Sequence, residues 1–250
     1  MRKGLLLLLL SLLPLTGHAQ REVTAWTYHL MPPFILDLEG RAGLSFDLLA
    51  LLNQHKDNRG RYHFQLDYLP RKRLDIRLND NPTGLVLWVN PGFFGDLQGE
   101  AYHWTPALLH DQQDVLSRTD RPFDYRGPES LHAHTLGGVL GHRYPDIQAD
   151  IDRGLIHRED VAIDRQNLDK LLSGRLDQIL IPHSTVLFFI QQLQLNGRLH
   201  VSPTPLKRFE RQLLVKDSGD GELSAFLDRV IAGLPRNLDW QALLRKYGLD

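Results

Sequence analysis

The sequence predicts an α/β fold in two lobes, each a mixed sheet flanked by helices, with two strands as the hinge between them. Three observations predict it. Residues 23–89 alternate strand-like and helix-like stretches in the order β-α-β-α-β, a pattern that sets parallel or mixed strands between helices. A second unit with the same alternation covers residues 136–181, opening LGGVLGHRYP and closing NLDKLLSGRLDQILI. Between the two, TDRPFDYRGPES is polar and contains Pro and Gly, a composition that suits a boundary between compact units.

The elements follow in order. Residues 23–29 mix β-branched and aromatic side chains and are expected to form a strand, stopped by Pro32 and Pro33. Ser45 is placed to cap a helix whose apolar face holds Phe46, Leu49 and Leu52. Residues 63–69 alternate, with Phe64, Leu66 and Tyr68 on one side of a strand. Pro70 opens a short helix, RKRLDIRL, closed by the Asn-Asp-Asn-Pro turn at 79–82. Residues 84–89 are an apolar run that suits a buried strand, 91–112 are irregular, and 114–117 leave as a strand.

In the second unit, strands are expected at 136–140, 160–163 and 177–181, and helices at 144–153, at 168–172 and after His183. Strands at 199–202 and 212–215 lead back to the first unit. Two amphipathic helices, 223–231 and 240–247, end the chain, the second stopped by Gly248. The organisation expected is lobe one from 20–118 plus 203–250 and lobe two from 119–202.

The first 19 residues have the pattern of a cleaved export signal. Arg2 and Lys3 precede an apolar run from Leu5 to Leu15, and Gly17-His18-Ala19 supplies the small residues that a signal peptidase recognises. The run is shorter than the roughly 20 residues a membrane span needs. The expectation is a periplasmic protein beginning near Gln20. There is no cysteine, which excludes a disulfide framework, a thiol nucleophile and a Cys-based metal site. Loss of Arg2 and Lys3 takes the formal charge from −1 to −3. So near-neutral a chain has no electrostatic case for nucleic acid or for an anionic membrane surface.

Six segments in order resemble the periplasmic solute-binding proteins of the polar amino acid class, family 3. They are TYHLMPPF, GLSFDLLALL, YLPRKRLDIRL, LGGVLGHRYP, LLSGRLDQIL and LDWQALLRKYGL. The resemblance covers nearly all of residues 23–250. It implies two α/β lobes, a ligand between them, and hinge closure in the service of an ABC-type permease or a sensor protein. The protein is then expected to be a monomer that binds a small molecule, without catalysis or cofactor.

Two departures argue against the family's usual ligand. The family grips the ligand carboxylate with an Arg shortly after the third strand, through a bidentate fork. Here no Arg or Lys occurs between Arg77 and Arg118, and Trp88-Val89-Asn90-Pro91 replaces the serine-rich turn. The family takes the ligand's ammonium with an Asp after the GRxD strand, and that position is Pro182. A buried ammonium or carboxylate without a partner costs several kcal/mol, so a standard α-amino acid held in the standard way is not expected.

The candidate ligand contacts are therefore other residues. Arg71 falls where the family stacks an aromatic, and its planar guanidinium can stack or fork; the competing reading is a solvated basic helix face. His142, Arg143 and Tyr144 precede a helix start at Pro145, where free N–H groups favour anions. Trp26, Tyr28, Trp88 and Asn90 lie at or near the C-terminal ends of lobe-one strands, where ligands bind in open α/β sheets; core packing is the equal alternative for the aromatics. Asp47 matches a family position that supports structure. His132-Ala133-His134 would set two imidazoles on one side of a strand, but no third ligand stands at a diagnostic spacing, so no metal is expected. No G-x-S-x-G, Walker or HExxH pattern occurs. Two rivals to a binding protein remain: an enzyme on the same scaffold resembling cyclohexadienyl dehydratase, which needs a cleft acid that the sequence does not reveal, and a degenerate lobe pair serving as an interaction module.

Overall fold

The computed structural model describes residues 20–81, 83–217, 219 and 221–250. The expected export signal, residues 1–19, lies outside the described residues. In the first half-sheet, β1 (Arg21–Thr27) lies between two parallel neighbours, β2 (Tyr62–Tyr68) and β3 (Thr83–Val89). In the second, β6 (Thr135–Val139) lies between parallel β7 (His157–Val161) and β8 (Gln178–Pro182). Two long antiparallel strands join them: β5 (Leu109–Arg118) pairs with β8, β10 (Lys207–Asp217) pairs with β3, and the two pair with each other. The strand order is β2-β1-β3-β10-β5-β8-β6-β7, with β4 (His103–Trp104) on β10 and β9 (Leu199–Val201) on β5. This is the two-lobed α/β architecture with a two-strand hinge.

Helices cover both faces of each half-sheet. On the first, α1 (Leu44–Gln54), α7 (Glu222–Gly233) and α8 (Leu238–Tyr247) enclose Val23, Phe64, Leu85, Phe226 and Trp240. On its other face, α2 (Arg71–Asp80) and α3 (Pro91–Phe94) cover Trp26, Leu74 and Val86. On the second half-sheet, α5 (Asp164–Leu172) and α6 (His183–Leu193) pack over Leu168, Ile179 and Phe189, and α4 (Pro145–Asp152) packs over Leu136, Ile147 and Leu180. No helix among the described residues is long and apolar enough to cross a membrane.

Several elements differ from the sequence expectation: residues 91–112, expected to be irregular, hold α3, β4 and the first residues of β5, and three further differences have physical reasons. The strand expected at 160–163 is β7, three residues earlier, with the polar sequence HREDV. It ends the strand order beyond β6, and an edge strand tolerates charge. The strand expected at 212–215 begins at Lys207, because the hinge leaves the KRFER portion largely open. Ser45 does not cap α1; it is buried and accepts a hydrogen bond from Trp88 Nε1 at 2.8 Å.

Asp47 ties the end of the chain to its beginning. Its Oδ2 accepts from Tyr247 Oη at 2.8 Å and from Lys246 Nζ at 2.6 Å, joining α1 to α8. The bond from Tyr247 is the half-buried one, and a hydrogen bond of this kind contributes about 1 kcal/mol net. Asp47→Ala should therefore lower stability by about 1–2 kcal/mol, read as a lower urea midpoint with an unchanged slope.

Candidate functional site

The parallel strands of both half-sheets deliver their C-terminal ends to one region. Tyr28 and His29 follow β1, Asn90 follows β3, His142 to Tyr144 follow β6, Asp164 follows β7, and His183 and Ser184 follow β8. Open α/β sheets bind ligands at such ends. The two halves meet there. Thr185 Oγ1 donates to the Pro32 carbonyl at 2.5 Å, and the charge of His142 bears on His29 across the cleft.

The floor is built around Arg211, a residue that sequence analysis did not single out. Its side chain is buried, with 1% of the residue exposed. Nε donates to Asp111 Oδ2 at 2.5 Å and Nη1 donates to the Trp88 carbonyl at 3.1 Å. The guanidinium lies 4.5 Å from the Phe34 ring centroid and 5.1 Å from that of Phe209. Asp111 also accepts from the Ser184 amide at 3.1 Å and the Ser184 hydroxyl at 2.8 Å. One network thus joins β3, both hinge strands and the start of α6. The available signal was a charged residue directly before the apolar QLLV run of a returning strand.

Arg71 opens α2, directly after β2, and lies against the aromatic side chains there. Its guanidinium is sandwiched, 4.0 Å from the Phe94 ring centroid and 5.3 Å from that of Tyr28. Nε donates to Asp75 at 2.8 Å and Nη2 donates to the Phe93 carbonyl at 2.9 Å. The basic helix face is real for its neighbours Lys72 and Arg73, while Arg71 itself turns to the aromatics. Tyr28 is half-buried, and burial raises its hydroxyl above the ordinary tyrosine value.

Trp26, Trp88 and Asn90 are held by other parts of the protein. Trp26 packs with Leu74 and Leu78 under α2. Trp88 has no exposed surface, and its indole bonds Ser45. Its backbone φ is 64°, a region that a bulky residue occupies only when its surroundings impose it. This lies at the shift in register between β3 and β10, where the Trp88 carbonyl meets Arg211. Asn90 caps α3, accepting from the Phe93 amide at 3.2 Å and donating to the Glu210 carbonyl at 3.2 Å. Ser45→Ala should cost about 2 kcal/mol, since it leaves the Trp88 Nε1 donor buried and unpaired; chemical denaturation measures it.

On the opposite lip, Tyr144 is buried against Ile147 and Leu180, with the Arg158 guanidinium 5.0 Å from its ring centroid. Burial raises its hydroxyl well above the usual range. His142 and Arg143 are exposed. The protein around the His142 ring and the charge of Arg158 lower the His142 pKa.

Two titratable groups that follow strand ends, His29 and Asp164, are buried. His29 Nε2 is buried and has no hydrogen-bond partner. Burial, with the charges of Arg211, His142 and Arg71, holds the ring well below the ordinary imidazole value. A hydrogen bond with the Trp88 backbone acts the other way, and a neutral imidazole accepts at one nitrogen and donates at the other. Asp164, at the start of α5, is 6% exposed and pairs with no cationic side chain. Burial pushes its carboxyl up to about 6, with its own backbone amide and the more distant charge of Arg211 acting the other way. Beside the cleft, His183 Nδ1 bonds Asp114 at 2.5 Å, and that bond raises the His183 pKa.

The histidine pair expected on a strand is instead split by Ala133, whose φ is 62°. His132 bonds Asp150 at 2.8 Å and His134 packs on Phe123. Among the described residues no group of three or more His, Cys, Asp or Glu is arranged to hold a metal ion.

No protein-family model matches the chain, and no curated protein matches it in sequence. Solved structures do match in fold. A variant of ArgBP from T. maritima superposes with a TM-score of 0.66 at 17% identity, covering 90% of this chain and 94% of that one. The GluR0 ligand-binding core from Nostoc punctiforme, in complex with (L)-glutamate, gives 0.66 at 14% identity, covering 91% and 100%. An ABC uptake transporter substrate-binding protein from Streptococcus pneumoniae with bound histidine gives 0.66 at 14% identity, covering 90% and 92%. The chain therefore has the two-lobed α/β fold of the amino-acid-type solute-binding proteins, over nearly its whole described length and at low sequence identity.

Proposed function

We propose that this protein is a periplasmic solute-binding protein, exported by residues 1–19, that closes its lobes on one small polar ligand. It acts as a monomer without catalysis, and hands the ligand to an inner-membrane ABC permease or presents the closed form to a sensor. Residues 20–118 with 203–250 form lobe one, and 119–202 form lobe two. One observation carries this reading: two buried titratable groups, His29 with its Nε2 unpartnered and Asp164 outside any ion pair among the described residues, follow strand ends in the two halves of a two-lobed clamp. Such groups lower stability unless something completes them, and perturbed titratable groups in a cleft are a mark of function. Arg71, Tyr28, His142, Arg143 and Tyr144 form the walls; Trp26, Trp88 and Asn90 support the floor from behind.

The test combines a thermal-shift screen of small amines, acids, amino acids and sugars with small-angle scattering. A ligand at 100 times its dissociation constant adds about 2.7 kcal/mol of stability, and closure reduces the radius of gyration. Stabilisation and compaction by the same compound support the reading; a full screen with neither defeats it and favours an interaction module.

A second reading rests on Asp164. A carboxyl poised at about 6 is the cleft acid that a dehydratase of the cyclohexadienyl type needs. Turnover of a cyclohexadienyl acid, abolished in Asp164→Asn, would establish it.

A further inference from the structure

We infer that the ligand presents a positively charged hydrogen-bond donor, an amine or guanidine, and has no carboxylate for the cleft to neutralise: Asp164 takes the cation and His29 Nε2 is the second acceptor. The inference rests on the binding role proposed above and names the ligand class of that cleft.

The argument is a charge inventory. Arg71 already faces Asp75 at 2.8 Å, and Arg211 already faces Asp111 at 2.5 Å. An incoming carboxylate has to compete with those two carboxylates, and at Arg211 it must enter a network that also holds Ser184 and the Trp88 carbonyl. Arg158 faces Asp160 at 2.7 Å. Those three pairs cancel. Arg143 is exposed, where water and salt screen it. What remains inside is one buried carboxylate outside these pairs, Asp164, and one buried ring nitrogen without a partner, His29 Nε2.

The groups that bear on Asp164 are its own backbone amide and Arg211, which is already claimed by Asp111. Asp164 in turn acts on Tyr144, which Arg158 and Asp160 also reach. None of these groups is an ion pair to the Asp164 carboxylate. An ionised Asp164 accepts hydrogen bonds and donates none, and a neutral His29 ring accepts at Nε2 when its proton is on Nδ1. Their complement is a ligand rich in N–H donors and carrying positive charge, with an apolar or planar body for the Tyr28 and Phe94 rings.

The experiment uses the purified full chain and a fixed probe panel: 1,4-diaminobutane, n-butylguanidine, butanoate, succinate, L-arginine, L-glutamate and L-histidine. Binding is measured by calorimetry at pH 7.5 and pH 5. The diamine or the guanidine should bind at pH 7.5. Because the Asp164 carboxyl titrates at about 6, affinity should fall about tenfold at pH 5. Calorimetry in buffers of different ionisation enthalpy near pH 6 should show protons released on binding. Asp164→Asn should weaken binding at least tenfold and flatten the pH dependence, and Asp164→Glu should keep that dependence.

Preferential binding of butanoate or succinate overturns the inference and leaves the binding role standing. So does amine binding that Asp164→Asn leaves unchanged. Binding of the three amino acids with no response to n-butylguanidine or 1,4-diaminobutane also overturns it, because it shows that the cleft requires a carboxylate. If no member of the panel binds and the wider screen gives no compaction, the binding role itself fails and the inference fails with it.

Discussion

Arg211→Met should lower the stability of the protein by about 3–5 kcal/mol, the usual effect of removing one partner from a buried ion pair. The reason is Asp111, which keeps its bonds to Ser184 but loses its cation in a site that water does not reach. The Trp88 carbonyl loses its guanidinium donor as well. For a chain of this size each kcal/mol moves the melting temperature by about 2–4 °C, so the transition should fall by roughly 6–20 °C. Adding Asp111→Asn should return part of the loss, since an amide still accepts from Ser184 without carrying charge. A double variant as unstable as the sum of the two single variants would show that the pair is not coupled. The same change should impair ligand response, because the network joins the hinge strands to both lobes.

Asp164→Asn should have the opposite effect on the unliganded protein. A carboxyl titrating at about 6 in the folded state and 3.8 in the unfolded chain binds its proton more tightly when folded. Its ionisation therefore lowers stability progressively as pH rises from about 4 to about 6, and the full penalty is present above that window. At 1.36 kcal/mol per pKa unit, the gain on substitution approaches about 3 kcal/mol at pH 7 and vanishes below pH 4. Thermal unfolding of the two proteins from pH 4 to 8 measures this. Coincident curves at pH 7 would mean that Asp164 is as well solvated in the fold as in the open chain.

The order of elements was legible because it depends on local patterns. The apolar run of β3, the alternation in β2 and the glycines that follow α5 and α8 are properties of short windows, and the protein forms elements there within a few residues. Misplacements fell where tertiary position overrides pattern: β7 is polar because it is an edge, and the hinge strand β10 begins in charged residues because part of it faces water. In sequence, Arg71 was singled out through the resemblance and the 142–144 turn through its place before a helix; in the structure Arg71 lies against the Tyr28 and Phe94 rings, and His142 and Arg143 are exposed. Trp88 was ambiguous in sequence because aromatics at strand ends serve cores and ligands alike. The structure gives it a buried hydrogen bond and a left-handed backbone, neither of which follows from its neighbours in sequence.

Arg211 and Asp164 were not legible at all. Arg211 meets the Trp88 carbonyl across 123 residues of chain, a contact that no local window records. Asp164 has the appearance of an acidic residue in the first turn of a helix, which is ordinarily solvated and mildly stabilising. By itself the sequence determined the two-lobed scaffold, the alternation of its elements and the absence of two charged positions found in the family it resembles. Only the tertiary structure decided which charges are already paired and which carboxylate is left dry and alone. Pairing and desolvation depend on what approaches from distant segments, and a local pattern carries no record of that.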